Sequence, residues 1–368
     1  MDYITTSNLY WDRFDLSVVK QMLFTEEELW RCTAKKGDLL ICEGGDIGRA
    51  AIWNYDYDIR IQNHIHRLRG YKGINHRFYY FVFLLYKLSN RIGGKGVAIQ
   101  GLSSGDLHKL EVPLPPEYEQ IRLVKTIEKW FKFVDLLEQE QENLHTLVQS
   151  TKSKILDLAI SGKLVPQDPD DEPAIELLKR VNPDFEPCDN SHYENLPQGW
   201  TIVGLHSVAE IITGSTPSKL NAEYYNGDVP FYKPNDLDQG RHVRCASEYL
   251  SQQGKSISRS IPCNSIAVCC IGSIGKCGFI EKEGVTNQQI NTIVPNDAIF
   301  PLYMYYFCNS STFIDELKSL SSAVTISIVN KSKLSTIQIP LPPIAEQKRI
   351  ISVIEKLYSH LDMITAEL

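Results

Sequence analysis

The sequence predicts an α+β protein in which one kind of domain, followed by a long helix, occurs twice. Three observations lead to this prediction. The chain repeats itself at a spacing of 227 residues, short β-rich runs alternate with glycine and proline in each copy, and each copy ends in an apolar heptad. Because this spacing exceeds the roughly 20–50 residues of solenoid and propeller repeats, it indicates two whole domains.

The repeat is clearest where each domain meets its helix. Residues 97–135 and 324–362 align without a gap and are identical at 14 of 39 positions, including Pro113-Leu114-Pro115-Pro116 and its counterpart at 340–343. At the same spacing residues 3–9 fall opposite 231–237. The first copy therefore has no counterpart of roughly residues 196–229. We expect either an N-terminally shortened chain or a start codon assigned too far downstream.

Each copy has the element pattern of a mixed domain. In the second copy, β-rich runs and one helix are predicted at Ser265–Ile271, Cys277–Ile280, Ile290–Val294 and Phe300–Leu320. In the first copy they are predicted at Gly37–Ile41, Ala50–Trp53, Ile65–Leu68 and, as helix, near Phe78–Leu88. The predicted organisation is an incomplete first domain, a central helix, a linker, a second domain and a shorter C-terminal helix, at residues 1–116, 117–161, 162–195, 196–343 and 344–368.

Both predicted helices begin at a Pro-Pro pair, which cannot be extended backwards as helix, and both carry an apolar seam. The first seam is Leu123, Ile127, Trp130, Val134, Leu137, Leu144, Val148, Ile155 and Leu158. The second seam is Ile350, Ile354, Leu357, Leu361, Ile364 and Leu368. Such seams require a partner, so we expect the two helices to pack as an antiparallel coiled coil, the first about 65 Å long. The alternative is that each helix packs on its own domain.

Composition is ordinary for a globular chain, with 43% hydrophobic and 23% charged residues. The N-terminus lacks a basic and then apolar leader, and the aromatic-aliphatic run Phe78–Tyr86 is too short to span a membrane. Nine scattered cysteines indicate reduced thiols, as in a cytoplasmic protein. The net charge of −7 leaves nucleic-acid binding open, because charge segregated to one face decides such binding.

Several segments combine glycine turns, hydroxyls, amides and cations, the groups that contact phosphates and base edges. The candidates in the second domain are Ser215, Thr216, Lys219, Tyr232, Lys233, Asn235, Gly272, Ser273, Gly275, Lys276, Asn287, Gln288 and Gln289. Those in the first are Gly45, Asp46, Gly48, Arg49, Gln62, Asn63, His64 and Lys95. The glycine turns are alternatively hairpin connections, and the amides alternatively cap backbone groups inside the domain.

No complete catalytic or metal motif accompanies these segments. Asn182-Pro183-Asp184-Phe185 differs from the Asn-Pro-Pro-Phe/Tyr of adenine methyltransferases at its third residue and lacks a glycine-rich cofactor turn. No complete G-x-x-x-x-G-K-[ST] phosphate loop is present, because Gly254-Lys255-Ser256 follows Tyr249 where that pattern has its first glycine. Cys263, Cys269, Cys270 and Cys277 lack the paired C-x2-C spacing of structural zinc sites, so buried core residues are the preferred interpretation. We expect no catalytic residue, metal or cofactor in this chain.

Four motifs in order give the chain a family resemblance. They are the Leu-Pro-Pro-x-x-Glu-Gln start of each helix, the segment from Leu156 to Pro169, Leu196-Pro197-x-Gly199-Trp200, and Ile212 to Pro217. With them the chain closely resembles the specificity (S) subunit of type I restriction–modification systems. The resemblance covers essentially the whole chain apart from the missing start.

The resemblance implies a non-catalytic reader of double-stranded DNA. Each target recognition domain would read one half of a split site. The paired helices would set the gap between the halves and dock methyltransferase (M) subunits. Restriction (R) subunits would join them, with AdoMet, ATP and Mg on the partner subunits. The alternative function is a half-functional S chain that acts as a scaffold or decoy for M subunits or for another S chain.

Overall fold

The computed structural model describes residues 1–92, 102–183, 185, 196–321 and 328–366. The chain divides into two compact units, Met1–Glu140 (unit 1) and Gln141–Leu368 (unit 2). Three residues that the sequence singled out, Lys95, Asp184 and Leu368, lie outside the described residues. Within the described ranges, no helix is both long enough and apolar enough to cross a membrane.

Unit 1 combines short strands with helices ahead of the long helix. Its elements are β1 (Asp2–Ile4), β2 (Leu9–Tyr10), β3 (Arg13–Phe14), β4 (Lys20–Gln21), α1 (Glu26–Cys32), β5 (Thr33–Ala34), β6 (Leu39–Cys42), β7 (Ala50–Ile52), β8 (Ile59–Ile61), β9 (Ile65–Leu68), α2 (His76–Leu88) and α3 (Ser104–Lys109). Its two larger sheets have the strand orders β4-β1-β8-β5 and β7-β6-β9. The long helix α4 (Glu117–Ile160) begins in this unit.

Helix α4 ends in unit 2, which has the larger set of elements. They are α5 (Ala174–Val181), β10 (Thr201–Gly204), α6 (Leu205–Val208), β11 (Ala209–Thr213), β12 (Tyr225–Tyr232), β13 (Glu248–Leu250), α7 (Gln252–Ser256), β14 (Ser260–Ile261), β15 (Ser265–Cys269), β16 (Cys277–Ile280), β17 (Gly284–Thr286), β18 (Ile290–Pro295), α8 (Pro301–Cys308), α9 (Ser311–Ser319), α10 (Lys331–Ser335), β19 (Gln338–Leu341) and α11 (Ile344–Ala366). Two 3₁₀ helices, Ala222–Tyr224 and Asp236–His242, flank β12.

The two units share their sheet topology, which confirms the α+β class and makes the sequence repeat a structural one. The sheet β13-β12-β17-β14 of unit 2 matches β4-β1-β8-β5 of unit 1. In both sheets the two central strands are parallel to each other and both outer strands are antiparallel. Likewise β6 is antiparallel to β7 and β9, as β15 is to β16 and β18.

The repeat extends to single hydrogen bonds. The Gln120 Oε1 atom accepts from the backbone N–H of Asn75 at 2.9 Å, and its Nε2 atom donates to two loop carbonyls at 2.8 and 3.3 Å. Gln347 accepts from the Phe300 N–H at 2.8 Å and donates to the two equivalent carbonyls at 3.0 and 3.3 Å. The Glu-Gln motif therefore ties the start of each long helix to the loop before a second helix.

Unit 2 also has three strands, β10, β11 and β19, with no equivalent strand among the described residues of unit 1. Strand β11 adds to β18, giving the sheet β11-β18-β15-β16, and β10 pairs with β19. In unit 1, β9 is the edge strand of its sheet, and residues 111–114 are not in a strand. Strands β10 and β11 lie in the stretch 196–229, ahead of the residues that align with the described start of unit 1.

Two predicted elements require correction. The single helix expected over Phe300–Leu320 is two helices, α8 and α9, because the Ser310 hydroxyl accepts from the Phe313 N–H and starts a new helix. Part of the predicted linker is also ordered core structure. Helix α5 lies within it and buries Ala174 and Leu178 in unit 2.

The end of α4 packs antiparallel against α11 inside unit 2. The Lys152 side chain forms an ion pair with Asp362, and the Lys152 backbone carbonyl accepts a hydrogen bond from the Tyr358 hydroxyl at 3.0 Å. Fifteen residues further along the chain, Gln167 reaches Glu346 near the start of α11, at 3.1 Å. The buried positions here include the seam residues Ile155, Ile350 and Ile354, with Leu357 and Leu361 partly buried beside them. Val148 is also buried, whereas the predicted seam residues Leu158 and Ile364 are exposed.

The prediction of one continuous seam is wrong for the first half of α4. Trp130 and Leu137 expose 62% and 54% of their surface, and Leu123 and Val134 are also exposed. Ile127 and Leu144 are half-buried. Here the helix packs on its own domain instead, with the Phe131 ring stacked 5.9 Å from that of Phe81. An apolar heptad predicts that one face of a helix packs against a partner, but it does not identify that partner.

Candidate nucleic-acid interface

The turn between β15 and β16 is built by two glycines in the left-handed region. Gly272 has φ 81° and Gly275 has φ 89°, a conformation that costs little only for glycine. The Gly275 N–H donates to the Cys269 carbonyl at 3.0 Å, which closes the turn. The hairpin interpretation is therefore correct, since the turn joins neighbouring antiparallel strands. It also leaves Gly272 and Ser273 exposed, so a ligand can approach their backbone.

The same turn occurs in unit 1 between β6 and β7. Gly45 and Gly48 have φ 72° and 83°, and the Gly48 N–H donates to the Cys42 carbonyl at 2.9 Å. In both turns the cysteine N–H also donates to the carbonyl of the residue after the second glycine, Arg49 in unit 1 and Lys276 in unit 2, at 2.8 Å. The backbone of this candidate site is thus duplicated.

In unit 2 three loops meet beside this turn. We call residues 214–219, 271–276 and 287–289 the loop cluster. The Thr216 hydroxyl donates to the Gln288 side-chain oxygen, and the Gln289 Nε2 atom donates to the Ile271 carbonyl at 3.4 Å. Gly214 allows this convergence, because a Cβ at that position would lie 1.9 Å from the Asn287 carbonyl oxygen. The loops therefore form one surface although they are far apart in sequence.

The amides of the loop cluster divide into two kinds. Asn287 is buried, donates to the Gln289 side chain at 3.0 Å and accepts from the Gln289 N–H at 3.2 Å, as the capping interpretation expects. This is a correction to its candidacy as a base contact. Gln288 is exposed, and Gln289 is half-buried. Gln288 is therefore the amide of this loop that is best placed to reach a base edge.

The surface of the loop cluster carries two exposed cations, Lys219 within the cluster and Arg259 beside it. Lys219 extends from its first loop, and the Arg259 Nη2 atom lies 3.5 Å from the Gly214 carbonyl. The Arg259 N–H also donates to the Ser215 hydroxyl at 3.2 Å. Within the described ranges neither side chain has an ion-pair partner. Sequence reasoning did not select Arg259, since only the fold brings it next to the loop at 214–219.

Other candidates of unit 2 are held in internal contacts. The Lys276 Nζ atom lies 2.7 Å from Asp238, and Lys233 pairs with Glu248. Tyr232 is fully buried, and its hydroxyl donates to the Lys282 carbonyl at 2.8 Å. Burial raises the pKa of that hydroxyl. Tyr232 is therefore a core residue and not a DNA contact. Asn235 is exposed and stays a candidate.

The cation at the turn of unit 1 is likewise engaged inside its own unit. The Arg49 Nη2 atom donates to the Thr6 carbonyl at 2.6 Å, and the guanidinium lies over the Tyr10 ring, 5.1 Å from its centre. Asp46 forms an ion pair with Lys87 at 2.6 Å. A phosphate at this turn would therefore compete with the Thr6 carbonyl and the Tyr10 ring for the Arg49 guanidinium.

The amide loop of unit 1 keeps the backbone arrangement of its counterpart. The Gln62 N–H donates to the Ile4 carbonyl at 2.9 Å, as the Asn287 N–H does to the Tyr232 carbonyl at 3.0 Å. Gln62 is half-buried, whereas Asn63 and His64 are exposed. His64 lies 3.5 Å from Glu43. Asn63 therefore stands where Gln288 stands in unit 2.

Three of the four clustered cysteines, Cys269, Cys270 and Cys277, are core residues, whereas Cys263 is exposed, contrary to the prediction that it is buried. Cys269 and Cys270 are buried, and burial raises the pKa of the Cys270 thiol to about 11. Burial also raises the pKa of Cys269. Both thiols are therefore protonated at neutral pH and pack as small apolar groups.

Comparison with known proteins identifies the family. The family model of the type I restriction modification DNA specificity domain matches residues 2–146 and 197–368, which is most of the chain. The chain belongs to this family. Each match spans the turn and the amide loop of one unit, so both candidate surfaces lie in matched segments.

Individual relatives match this chain at modest identity and over part of their length. The chain is 35% identical over 173 residues to the type I restriction enzyme HindI specificity subunit of Haemophilus influenzae, covering 45% of this chain and 38% of that protein. It is 24% identical over 302 residues to the EcoBI specificity subunit of Escherichia coli, covering 79% and 60%. The matches thus span less than two thirds of these relatives.

Solved structures share the fold. A chain of a type I R-M system superposes with a TM-score of 0.63 at 17% identity, covering 100% of this chain and 85% of that chain. The HsdS subunit from Thermoanaerobacter tengcongensis gives 0.58 at 16% identity, with 100% and 84% covered.

Proposed function

We propose that this chain reads DNA sequence as the specificity subunit of a type I restriction–modification complex. The observation that carries the proposal is the loop cluster with Arg259 beside it, where an exposed glycine turn, an exposed amide and two cations without an ion-pair partner among the described residues share one surface. Family membership and the duplicated turn support the same function. Each unit would read one half of a bipartite site in double-stranded DNA.

The residues of the loop cluster would divide the work of recognition. Lys219 and Arg259 are long cations on the rim, suited to phosphate oxygens that hold the protein in register. Gln288 is placed to pair with a base edge, since a glutamine amide matches adenine bidentately in the major groove. Thr216 supports it by hydrogen bonding to its side-chain oxygen. In unit 1, Asn63 and His64 would take the base-reading role.

The proposal includes partners that supply the chemistry. The exposed apolar residues Trp130, Val134 and Leu137 on α4 would dock M subunits, and R subunits would join the assembled complex. AdoMet, ATP and Mg would bind to these partners, leaving this chain non-catalytic. Such a complex would act in the cytoplasm.

Selection from a randomised duplex library, using this chain together with its M subunits, tests the proposal. The expected result is enrichment of two short defined blocks separated by a fixed spacer. Protein carrying Arg259→Ala and Gln288→Ala serves as the matched control and should enrich one block weakly or not at all. A pool that stays random with wild-type protein contradicts the reading function.

A second function is favoured by the edge strand β9 in unit 1, which pairs only with β6 within the described ranges. A chain whose first unit does not read DNA would act mainly as a scaffold or decoy for M subunits or another S chain. The same selection separates the two functions, because one enriched block without a second indicates that only unit 2 reads.

A further inference from the structure

Five apolar positions are buried in unit 2 while their counterparts in unit 1 are open. Val112 exposes 41% of its surface whereas Ile339 exposes 0%, and Leu114 exposes 71% whereas Leu341 exposes 1%. The remaining pairs, half-buried in unit 1 and fully buried in unit 2, are Leu68 with Ile293, Leu107 with Leu334, and Leu110 with Ile337.

The equivalence of these positions is structural. Leu68 stands opposite Leu39 in the β6–β9 ladder, as Ile293 stands opposite Ile266 in the β15–β18 ladder. The other four pairs follow the constant spacing of 227 residues. The difference in burial therefore reflects what covers each surface and not a change in residue type.

In unit 2 the segment 196–213 covers the surface formed by these five apolar positions. Strand β10 pairs antiparallel with β19, in a register that places Val203 opposite Ile339 and Thr201 opposite Leu341. The Leu205 N–H donates to the Ile337 carbonyl at 2.9 Å. Strand β11 then covers the β18 edge. A strand, a one-turn helix and a second strand thus complete the domain.

In unit 1 the same surface is an open groove of about 540 Å³. Leu68, Leu107, Leu110, Val112 and Leu114 all line it. Beside it, β9 pairs on one side only within the described ranges. An unpaired strand edge next to an apolar groove is the arrangement to which an added strand binds, with backbone hydrogen bonds on one side and side-chain pockets on the other.

A carboxylate beside this surface also has a partner from the covering segment in unit 2 but not in unit 1. In unit 2 Glu346 accepts a hydrogen bond from the Trp200 indole at 3.0 Å. Its counterpart Glu119 instead faces Arg122 on the helix surface at 3.2 Å, where Arg122 is exposed. The carboxylate that holds the start of the covering segment in unit 2 thus has only a surface partner in unit 1.

We propose that this groove of unit 1 binds a polypeptide segment from outside the described residues, with the pattern of residues 196–213. The segment would begin with a tryptophan that reaches Glu119. It would add one strand along residues 111–114 and a second strand to the open edge of β9. A second copy of this chain is a poorer donor, because giving up its own segment would uncover Ile339 and Leu341 in its unit 2.

The first test uses a fluorescent synthetic peptide with the sequence of Leu196–Thr213 and the full-length chain. Fluorescence anisotropy should show one peptide bound per chain. Leu114→Glu should weaken binding by at least roughly tenfold, because the bound strand would bury an unpaired carboxylate. Leu220→Glu, at a leucine that is 99% exposed in unit 2, is the matched control and should leave affinity unchanged.

A second test reads the register and stays informative if affinity is low. With Val112→Cys in the chain and air oxygen as the oxidant, a peptide with cysteine in place of Val203 should form a disulfide that mass spectrometry maps to residue 112. A peptide with cysteine in place of Ile202 should not, since neighbouring strand residues point to opposite faces.

Three results would overturn the inference. They are equal cross-linking by both peptides, equal binding by the Leu114→Glu variant, and self-association of the chain that Leu114→Glu abolishes. The last result would assign the groove to a second copy.

Discussion

The Trp200 indole nitrogen donates a hydrogen bond to the buried Glu346 carboxylate at 3.0 Å. The same carboxylate accepts from Gln167 at 3.1 Å, and Arg349, one turn along α11, pairs with Asp171 at 2.6 Å. Three sequence motifs of the chain therefore meet at one point, where the segment after α4, the start of the second domain and the start of α11 are joined.

Trp200→Phe keeps an aromatic ring but removes the donor. Because the buried carboxylate then loses a hydrogen bond, the free energy of unfolding should fall by about 1–3 kcal/mol. Urea denaturation measures the change. Trp130→Phe is the matched control at an exposed ring and should leave the midpoint unchanged. Equal midpoints for both variants would show that the hydrogen bond contributes nothing.

Glu346 also predicts a pH dependence. Burial, opposed by the hydrogen bonds from Gln167 and Trp200, raises its pKa above 4.5. A raised pKa means that the folded state holds the proton more tightly than the unfolded state, so this contribution is complete below about pH 4.5 and is lost as pH rises through the folded pKa. Glu346→Gln should therefore gain stability relative to wild type as pH rises from 4.5. Denaturation across this range checks the sign, and a relative loss would contradict it.

Glu281 predicts the opposite behaviour. Hydrogen bonds from Arg244 and then His242 lower its pKa to about 2. A lowered pKa gives stability that is present above about pH 4.5 and is lost as pH falls toward 2. Glu281→Gln should cost up to about 1 kcal/mol at pH 7, as expected for a partly exposed ion pair. The difference from wild type should vanish near pH 2 in denaturation curves, and a constant difference would assign the effect to packing.

Gln288 and Asn287 should respond differently to alanine although they are neighbours. Gln288→Ala should change base preference at one position by about 1–3 kcal/mol with an unchanged melting temperature. Asn287→Ala should lower the melting temperature, because its internal hydrogen bonds are lost. Competition binding on single-base variants of the selected site, together with thermal melts, measures both. A shared loss of stability would make Gln288 structural as well.

Arg259→Ala should weaken DNA binding similarly for all sequences and reduce the salt slope by about one unit, if the guanidinium contacts a phosphate. Lys255→Ala is the control, since Lys255 is held by Glu283 at 2.6 Å. Affinity measured over a range of salt concentrations separates the two. Identical slopes for both variants would remove Arg259 from the interface.

Much of the fold could be predicted from the sequence, because the repeat at a constant spacing of 227 residues indicates two domains with the same elements in the same order. The sequence was also sufficient for the Gly272 and Gly45 turns, since positive φ leaves a clear glycine signature. It was misleading for Tyr232, which stands in a polar segment yet packs inward from a strand end. Arg259 was missed because no local pattern links it to Ser215, and only strand pairing brings them together.

The two Pro-Leu-Pro-Pro tetrapeptides have the same sequence, but their leucines lie in different surroundings and should tolerate substitution differently. Leu341 belongs to a packed interior, where most polar replacements would be eliminated. Leu114 has no such constraint from the packing of unit 1 itself, so a segment bound in the groove is what would keep Val112 and Leu114 apolar in natural variants of this chain. Persistent retention of large apolar residues at both open positions would be the evolutionary trace of a bound segment.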